Sequence, residues 1–502
     1  MTVAKSLMSR LCFVLPFLTL VFAAKTASAQ VAQAAAVNPA FVTLHNFTGA
    51  DGVNPTAGLV QATDGNFYGT TGYGGANCDP AAGLCGTIFK MTPSGALTTL
   101  YNFCSQAGCV DGKGPLGGLV QATNGSLYGT TYAGGTNGAG VVFKITPSGT
   151  LTTLYNFCTQ AGCTDGGSPV AGLVQASNGN LYGTTQVGGA NGGGTIFKIT
   201  PSGTLTTLHG FCALSGCADG QFPDGGLVQA MNGNFYGTTA SGGTNLSCNS
   251  GCGTVFKVTP AGVLTTLHNF CSATGCADGS GPFGAPVQAS NGEIYGTTQT
   301  GGITNIANCV PFGCGTVFEL GPSGAFRTLY DFCAQGVCDG SSPVANMIVA
   351  ASGNLYGTTP TTIFEITPTG TFTTLYRFCS QGGCSDGASP NALVQATNGI
   401  FYGTTGAFGA NGYGTVFALY TGEPPFVEIR PTIGVVGEVT TIVGYGLKGA
   451  TSVTFNGTPA TILYNAPTAI LAKVPVAATT GKVEVITPHG TLSSNLPFEV
   501  VP

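Results

Sequence analysis

No tryptophan occurs in this chain of 502 residues, histidine occurs four times, and charged residues make up only 7%. Lysine and arginine number 14 and nowhere cluster, which excludes a surface that tracks nucleic-acid phosphates. No basic amphipathic stretch is present to lie on a membrane surface. Neither a nucleophile-base pair nor a hydrolase elbow is visible, so no catalytic residue and no cofactor is implied. The histidines are spread along the chain. His45, His209 and His268 stand where Tyr101, Tyr155, Tyr330 and Tyr376 stand in other copies of a repeat, as aromatic substitutes in a packed strand, and His489 lies near the C-terminal end.

What the chain has in quantity is glycine, 82 residues, with 30 Phe and 17 Tyr. With 43% hydrophobic residues this glycine belongs to the dense turns of an all-β protein rather than to a disordered one. The motif Tyr-Gly-Thr-Thr begins at Tyr68, Tyr128, Tyr182, Tyr236, Tyr295, Tyr356 and Tyr402, at spacings of 46 to 61 residues. Within one unit, Gly172 to Phe211, four strand-like runs alternate with turn signals: GLVQA, NLYGTT, GTIFKIT and TLTTLHGF. The Asn-Gly that separates the first two runs, at Asn124, Asn178, Asn232, Asn291 and Asn398, predicts a type I′ hairpin in which both turn residues take positive φ. Pro-Ser-Gly turns the third run into the fourth.

Each unit is thus a four-stranded antiparallel meander, and units of this length are the signature of β-propeller blades, with a β-solenoid as the competing arrangement. The seventh unit ends at Gly414 to Tyr420 without a fourth run, while Val42 to Phe47 is a fourth run with no unit before it. An open solenoid would leave both edges unpaired, whereas a ring pairs them. Residues 41–420 are therefore expected to form a seven-bladed β-propeller closed by its N-terminal strand.

Residues 1–29 read as a secretory signal: Lys5 and Arg10, an apolar run from Leu11 to Ala24, then Ala27-Ser28-Ala29. The run is short for a spanning helix, and Cys12 lacks the small-residue context of a lipoprotein cysteine. The mature chain is expected to be secreted, at the cell surface or extracellular with the periplasm as a further possibility, and to carry no membrane span. Residues 30–40 are read as a linker. The remaining 18 cysteines fall into nine close pairs. Six have the spacing Cys-x4-Cys: Cys104/Cys109, Cys158/Cys163, Cys212/Cys217, Cys271/Cys276, Cys333/Cys338 and Cys379/Cys384. Cys78/Cys85, Cys248/Cys252 and Cys309/Cys314 lie in insertions of variable length. An even count and an export signal point to local disulfides. A tetrahedral metal needs four ligands, and no loop holds a second pair, so no metal site is assigned, although different loops could meet in space.

The pattern NG-x-(L/F)-YGTT…GG…GT(V/I)F-K-(I/V)TP-(S/A)-G-x-LTTLYNF resembles the GloVer-type (Gloeo/Verruco) tandem repeat of secreted bacterial proteins, over roughly Phe41 to Tyr420. That resemblance implies an exported repeat protein and carries no established reaction. Kelch blades share the double glycine after strand two but use a tryptophan that this chain lacks. After a linker at 421–425 the cysteines and the period stop. Residues 426–502 resemble an IPT/TIG domain, through Ile429-Arg430-Pro431, Gly434, Gly437, TTIVGYGL, VTFNGTPA, AKVP and GKVEVITPHG. This implies a small immunoglobulin-like β-sandwich of the kind that acts as a spacer or interaction module.

Several repeat positions are candidate sites. One Asp-Gly follows strand four in every unit, at Asp51, Asp111, Asp165, Asp219, Asp278, Asp339 and Asp386; a calcium ring is conceivable, but one carboxylate per loop better suits a cap on its own turn. Gln61, Gln121, Gln175, Gln229, Gln288 and Gln395 stand seven residues before the motif Tyr, and are read as a hydrogen-bonded structural ring. The strand-three residues Lys90, Lys144, Lys198, Lys257, Glu319 and Glu365 are read as a solvated edge. Every change of length, and every Cys pair, falls at the propeller end that carries the strand two-three loops and the blade-to-blade connections. Function concentrates on variable loops held by a rigid scaffold. The candidate binding residues are therefore Tyr73, Tyr132, Asn137, Phe408 and Tyr413, and the expected function is non-enzymatic recognition of an extracellular glycan or protein. A glycan-active hydrolase or lyase, kept open by the non-repeat acids Asp224, Glu293 and Asp331, and a purely structural envelope protein are the alternatives.

Overall fold

In the computed structural model the described residues are 39–501, except 79–82, 246, 249, 303–308, 310–311, 335–337 and 381. The proposed signal segment lies outside them.

Seven sheets follow one another along the chain. Blade 1 is Val60–Gln61, Phe67–Thr71, Thr87–Met91 and Leu97–Asn102, each strand antiparallel to the next. Blades 2 to 6 repeat this order, ending at Asn156, Gly210, Asn269, Asp331 and Arg377. In blade 7, Phe401–Ala407 pairs with Thr415–Tyr420, and Thr415–Tyr420 pairs in turn with Ala40–Asn46. That N-terminal strand has the register break, between Thr43 and His45, that every other outer strand shows at the matching place. It is a fourth strand like the rest, and it closes a seven-bladed propeller.

The motif is legible atom by atom. The hydroxyl of the Tyr receives a hydrogen bond from the turn Asn, Asn124 Nδ2 to Tyr128 at 2.8 Å. The Gly admits the strand-three Phe: a Cβ on Gly69 would stand 2.5 Å from the ring of Phe89. In five blades the first Thr donates to the next blade, as Thr70 Oγ1 does to Gly117 O at 3.1 Å, whereas Thr184 and Thr297 Oγ1 are buried without a partner. The second Thr meets its strand-three counterpart, Thr71 to Thr87 at 2.9 Å, in fully buried surroundings. Between blades the core is aromatic and aliphatic, as where Phe47, Phe67, Phe89 and Tyr402 pack across the closure. Burial of these rings, roughly 1.5–3 kcal/mol each, is what holds blade to blade.

Three local expectations are corrected. The Asn-Gly turns are not type I′, because Asn124 and its equivalents have negative φ and only the glycine is positive, Gly125 at 80°. Gly125 N–H donates to Ala122 O and Ala122 N–H to Ser126 O, which makes a three-residue loop with the glycine in the left-handed position. The inner strands are also short, Val120–Gln121 in blade 2 where five residues were expected. The residues ahead of it, Gly117-Gly118, bend toward the neighbouring blade, and Gly117 O accepts from the first motif Thr of blade 1.

The third correction concerns the Cys-x4-Cys segments, which the all-β reading takes as plain loops. Among the described residues, five of them contain a single 3-10 turn that ends on the second cysteine: Ala107–Cys109, Ala161–Cys163, Ser215–Cys217, Thr274–Cys276 and Gly382–Cys384. Cys109, Cys217 and Cys384 have φ of 52°, 55° and 54°, a left-handed conformation uncommon for residues with a side chain. Backbone bonds explain it. Cys109 O accepts from Gly112 N–H and Gly135 N–H, both at 2.9 Å, and Cys217 O accepts from Gly220 and Gly243 at the same distance. Cys384 O accepts from Gly387 at 2.9 Å and Gly409 at 3.1 Å. One glycine of each pair lies in the cysteine's own connection and the other in the strand two-three loop of the following blade. The second cysteine therefore anchors that loop through its backbone as well as closing a disulfide.

The C-terminal domain pairs Val427–Arg430, Val439–Gly444, Ala469–Lys473 and Thr461–Asn465 in one sheet, and Thr458–Pro459, Ser452–Phe455, Val483–Thr487 and Gly490–Ser493 in the other. Ile442, Phe455, Ile470, Val483 and Phe498 fill the space between them. Its one Asn-Gly hairpin, Asn456-Gly457, does have both φ positive, 45° and 81°. Propeller and sandwich belong to one compact unit. They meet at the Asn-Gly end: Arg430 donates to Gln61 O at 2.9 Å, Thr468 Oγ1 to Thr63 O at 2.6 Å, and Phe426 N–H to Thr397 O at 3.0 Å. In the connecting segment, Glu423 accepts from Ser352 Oγ at 2.6 Å and Tyr356 OH at 2.9 Å.

Candidate functional site

The loop-rich end is built on the repeated Asp. Each carboxylate receives the aromatic residue of the preceding outer strand, and in the first six connections the backbone of its own loop as well. Asp111 accepts from Tyr101 OH at 2.9 Å and from Ser105 N–H and Oγ at 3.0 and 2.8 Å; Asp165 does the same with Tyr155 and Thr159. In blades 3 and 4 histidine takes the aromatic's place, His209 to Asp219 at 3.1 Å and His268 to Asp278 at 3.0 Å. Burial pushes Asp278 upward, but the hydrogen bonds from His268 and Ser272 and from the backbone outweigh it and hold the carboxyl at about 2. These aspartates are loop caps. The Tyr/His alternation, which sequence reasoning takes as simple packing, is their side-chain hydrogen-bond partner.

The Gln ring lies toward the other end. Gln121 Oε1 accepts from Thr63 N–H of blade 1 at 2.8 Å while its Nε2 donates to Gly125 O in its own turn at 3.2 Å. Gln175, Gln229 and Gln288 repeat the link, and Gln61 closes it with Thr397 at 3.0 Å. At blade 6, where Val349 replaces Gln, Asn346 Oδ1 instead receives Ala285 N–H at 2.7 Å.

At the loop-rich end the central channel opens into a cavity of about 470 Å³. Its mouth is ringed by the residue that follows the proline in each connection: Thr56, Leu116, Val170, Asp224, Phe283, Val344 and Asn391. Six are uncharged and one is a carboxylate. Asp224 Oδ1 is buried without a hydrogen-bond partner, and burial pushes the carboxyl up to about 6, against a single opposing hydrogen bond from Gln186. Gln186 follows the second motif Thr of blade 3, and Tyr132 holds the same place in blade 2. The signal for this site was present in the sequence as one acidic residue among seven equivalent positions.

The five candidate binding residues do not form one surface. Phe408 and Tyr413 face each other in a bridge of the blade 7 loop, Tyr413 O accepts from Asn54 N–H at 2.9 Å, and Val53 pairs with Tyr73. Tyr73, Phe408 and Tyr413 thus gather at the closure seam, 37%, 51% and 42% exposed. Tyr132 is half-buried where strand two of blade 2 ends, its N–H donating to Gly114 O at 2.8 Å, and Asn137 lies in the exposed part of the blade 2 loop, where Nδ2 donates to Phe157 O at 3.1 Å. The non-repeat acids do not converge: Asp224 is at the channel mouth, Glu293 in an Asn-Gly turn at the opposite end, and Asp331 at the end of the outer strand of blade 5.

All nine Cys pairs are bridged within their own loops. Cys104–Cys109, Cys212–Cys217 and Cys379–Cys384 join the ends of segments that also hold a capped Asp, so disulfide and carboxylate fix the same loop. Cys78–Cys85 closes the strand two-three loop of blade 1. Among the described residues, the groups of three or more metal-type ligands consist of cysteine.

Solved structures are similar to this chain. A streptogramin B lyase is 15% identical, with 76% of this chain and 98% of that chain covered and a TM-score of 0.48. The virginiamycin B lyase of Staphylococcus aureus is 13% identical with the same coverage and a TM-score of 0.49. A fungal alcohol oxidase of the AA5 family, in complex with copper, is 15% identical, covers 92% of this chain and 99% of its own, and has a TM-score of 0.50. At such identities the likeness is one of fold alone. No curated protein matches the chain. The IPT/TIG domain matches residues 424–500. The Gloeobacter/Verrucomicrobia repeat matches in four overlapping segments, 29–164, 86–310, 159–361 and 311–430, and the chain belongs to this repeat family.

Proposed function

We propose that the protein is a secreted, non-enzymatic recognition protein that binds an extracellular glycan or protein on the loop-rich face of the propeller. The observation that carries this reading is the asymmetry of the two ends. The sandwich and its connecting segment engage the Asn-Gly turns of blades 1, 6 and 7, whereas the opposite end presents the channel mouth, the disulfide-stapled loops and the exposed aromatics. Nine bridges suit an oxidising compartment, and no helix among the described residues is long and apolar enough to cross a membrane. Tyr73, Phe408 and Tyr413 offer flat apolar faces, the two tyrosines with a hydroxyl at the edge, the kind of surface on which sugar rings or protein side chains pack. Binding of the purified protein to a panel of glycans and cell-envelope components tests the proposal, with weakened binding expected from alanine at these three positions. Binding to no component, or binding unaltered in all three variants, would refute it.

A second reading, a glycan-active enzyme, rests on Asp224 alone. A carboxyl held near 6 in a cavity is suited to proton transfer close to neutral pH. Polysaccharide hydrolysis abolished by Asp224→Asn would establish it; the separation of Asp224 from the other non-repeat acids disfavours the paired-carboxylate mechanism.

A further inference from the structure

The strand two-three loop of blade 4 carries Cys248 and Cys252, and the segment after its outer strand carries Cys271 and Cys276. Each pair is bridged within its own loop, yet the fold lays one pair on the other. Sγ of Cys248 stands 3.8 Å from Sγ of Cys271, and the sulfurs of Cys248, Cys252 and Cys271 lie within 4.8 Å of one another. Cys276, bonded to Cys271, is the fourth. Blade 5 repeats the arrangement with Cys309, Cys314 and Cys333, the last bonded to Cys338.

The cause is positional. Blade 3 has a lone pair, Cys212/Cys217, and carries Gly193 at the place of Cys252; a Cβ on Gly193 would stand 2.7 Å from Sγ of Cys212. A cysteine at this position therefore meets the pair that follows the outer strand. In blade 1, where Cys85 takes the place, the described cysteines form no group of three.

We propose that the clusters of blades 4 and 5 are latent metal sites: when both disulfides of a cluster are reduced, its four thiolates bind one thiophilic divalent cation of the zinc class. With Zn–S bonds of about 2.3 Å, the sulfurs of a tetrahedral site stand about 3.8 Å apart, which is the separation of Cys248 from Cys271. The surroundings favour a cation. Cys252 and Cys271 pack against Val255 and Phe270, and in blade 5 Cys314 and Cys333 are buried. Thiolates crowded into such a place repel one another and are poorly solvated, and a dication relieves both. Reduction of one cluster consumes four electrons and four protons, supplied by two equivalents of a dithiol or of a phosphine with water, and gives four thiols; binding then releases the thiol protons. The oxidised form closes each loop on itself, whereas the metal form joins the two loops.

The test is anaerobic reduction of the full chain with a phosphine, followed by titration with Co²⁺. Thiolate-to-cobalt charge-transfer and tetrahedral d–d absorption are expected to saturate at two equivalents per chain and to be displaced by Zn²⁺. Cys271→Ser should remove one equivalent, and Cys158→Ser, in a lone pair, should leave both. A second measurement needs no variant: Zn²⁺ added before alkylation should protect Cys248, Cys252, Cys271 and Cys276 and leave Cys158 and Cys163 reactive, as read by peptide mapping. Equal alkylation of both sets, octahedral cobalt spectra, or a reduced chain that loses its folded signal with zinc present would overturn the proposal.

Discussion

The two ends of the propeller are made from the same seven repeats and differ in what they leave free. At the Asn-Gly end the turn atoms are engaged: the Asn holds the motif Tyr, the Gln binds the blade before it, and the sandwich takes the carbonyls of Gln61 and Thr63. At the loop-rich end the repeated Asp is likewise hydrogen-bonded, but the position after each proline varies among the blades, and one of the seven is a carboxylate whose Oδ1 is buried without a partner. Repetition engages most of the turn and cap groups in bonds within the fold. Departure from repetition is where a ligand can be met.

The strongest way to break the uniform end is to open the ring. Deleting Val42–Phe47 removes the outer strand of blade 7 and buried Phe47, and is expected to lower the melting temperature by roughly 10 °C or more, or to cause aggregation through the exposed edge. A monomer with an unchanged transition would contradict strand-swapped closure.

The varied end should respond in the opposite direction at Asp224. Asp224 is held above its ordinary value, so its carboxylate opposes folding once ionised: the native state is least penalised below pH 4 and loses stability as pH rises toward 6. Asp224→Asn is therefore expected to stabilise the protein by about 1–3 kcal/mol at pH 7.5 and by nothing at pH 3.5. Denaturant unfolding at the two pH values checks it.

Single links of the uniform ring should cost less than its closure. Gln121→Ala leaves Thr63 N–H and Gly125 O without their side-chain partner and is expected to destabilise by about 1–2 kcal/mol. The loop caps sharpen the comparison by pH. Asp278 is held below its ordinary value, so its contribution is present above pH 4 and is lost as pH falls toward 2. Asp278→Asn should flatten that acid limb in thermal melts between pH 2 and 5. The smallest effect belongs to the exposed aromatics: Tyr73→Ala and Phe408→Ala should each alter stability by less than about 0.5 kcal/mol, since neither is buried. A larger loss would mean that the seam aromatics hold the ring rather than face a partner.

The turn chemistry shows where local reading stops. Asn-Gly marks the first hairpin of five blades, with Asp64-Gly65 and Ser352-Gly353 in the other two, yet the same dipeptide forms a three-residue loop in the blades and a type I′ turn at Asn456-Gly457. The difference follows from pairing: in blade 2 the strands are joined through Ala122 and Ser126, one residue farther apart than Phe455 and Thr458 in the sandwich. Local spacing cannot reveal that register. The Cys-x4-Cys spacing is similar: it marks the bridge Cys104–Cys109 but not the 3-10 turn that Cys109 ends, which depends on Gly135 of the next blade.

The sequence by itself determined the four-stranded unit, its sevenfold repetition, the orphan strand at Val42 and the local Cys pairs, because each rests on residues near one another in the chain. Tertiary structure alone decided the rest. Gln121 meets Thr63, Cys248 meets Cys271, Asp224 enters a ring with six uncharged residues, and Arg430 reaches Gln61. These partners lie 23 to 369 residues apart, and they meet because the closed propeller arranges its blades around one channel and docks the sandwich on its Asn-Gly end. No periodicity along the chain carries that geometry, since it is fixed only when the first strand and the last blade pair.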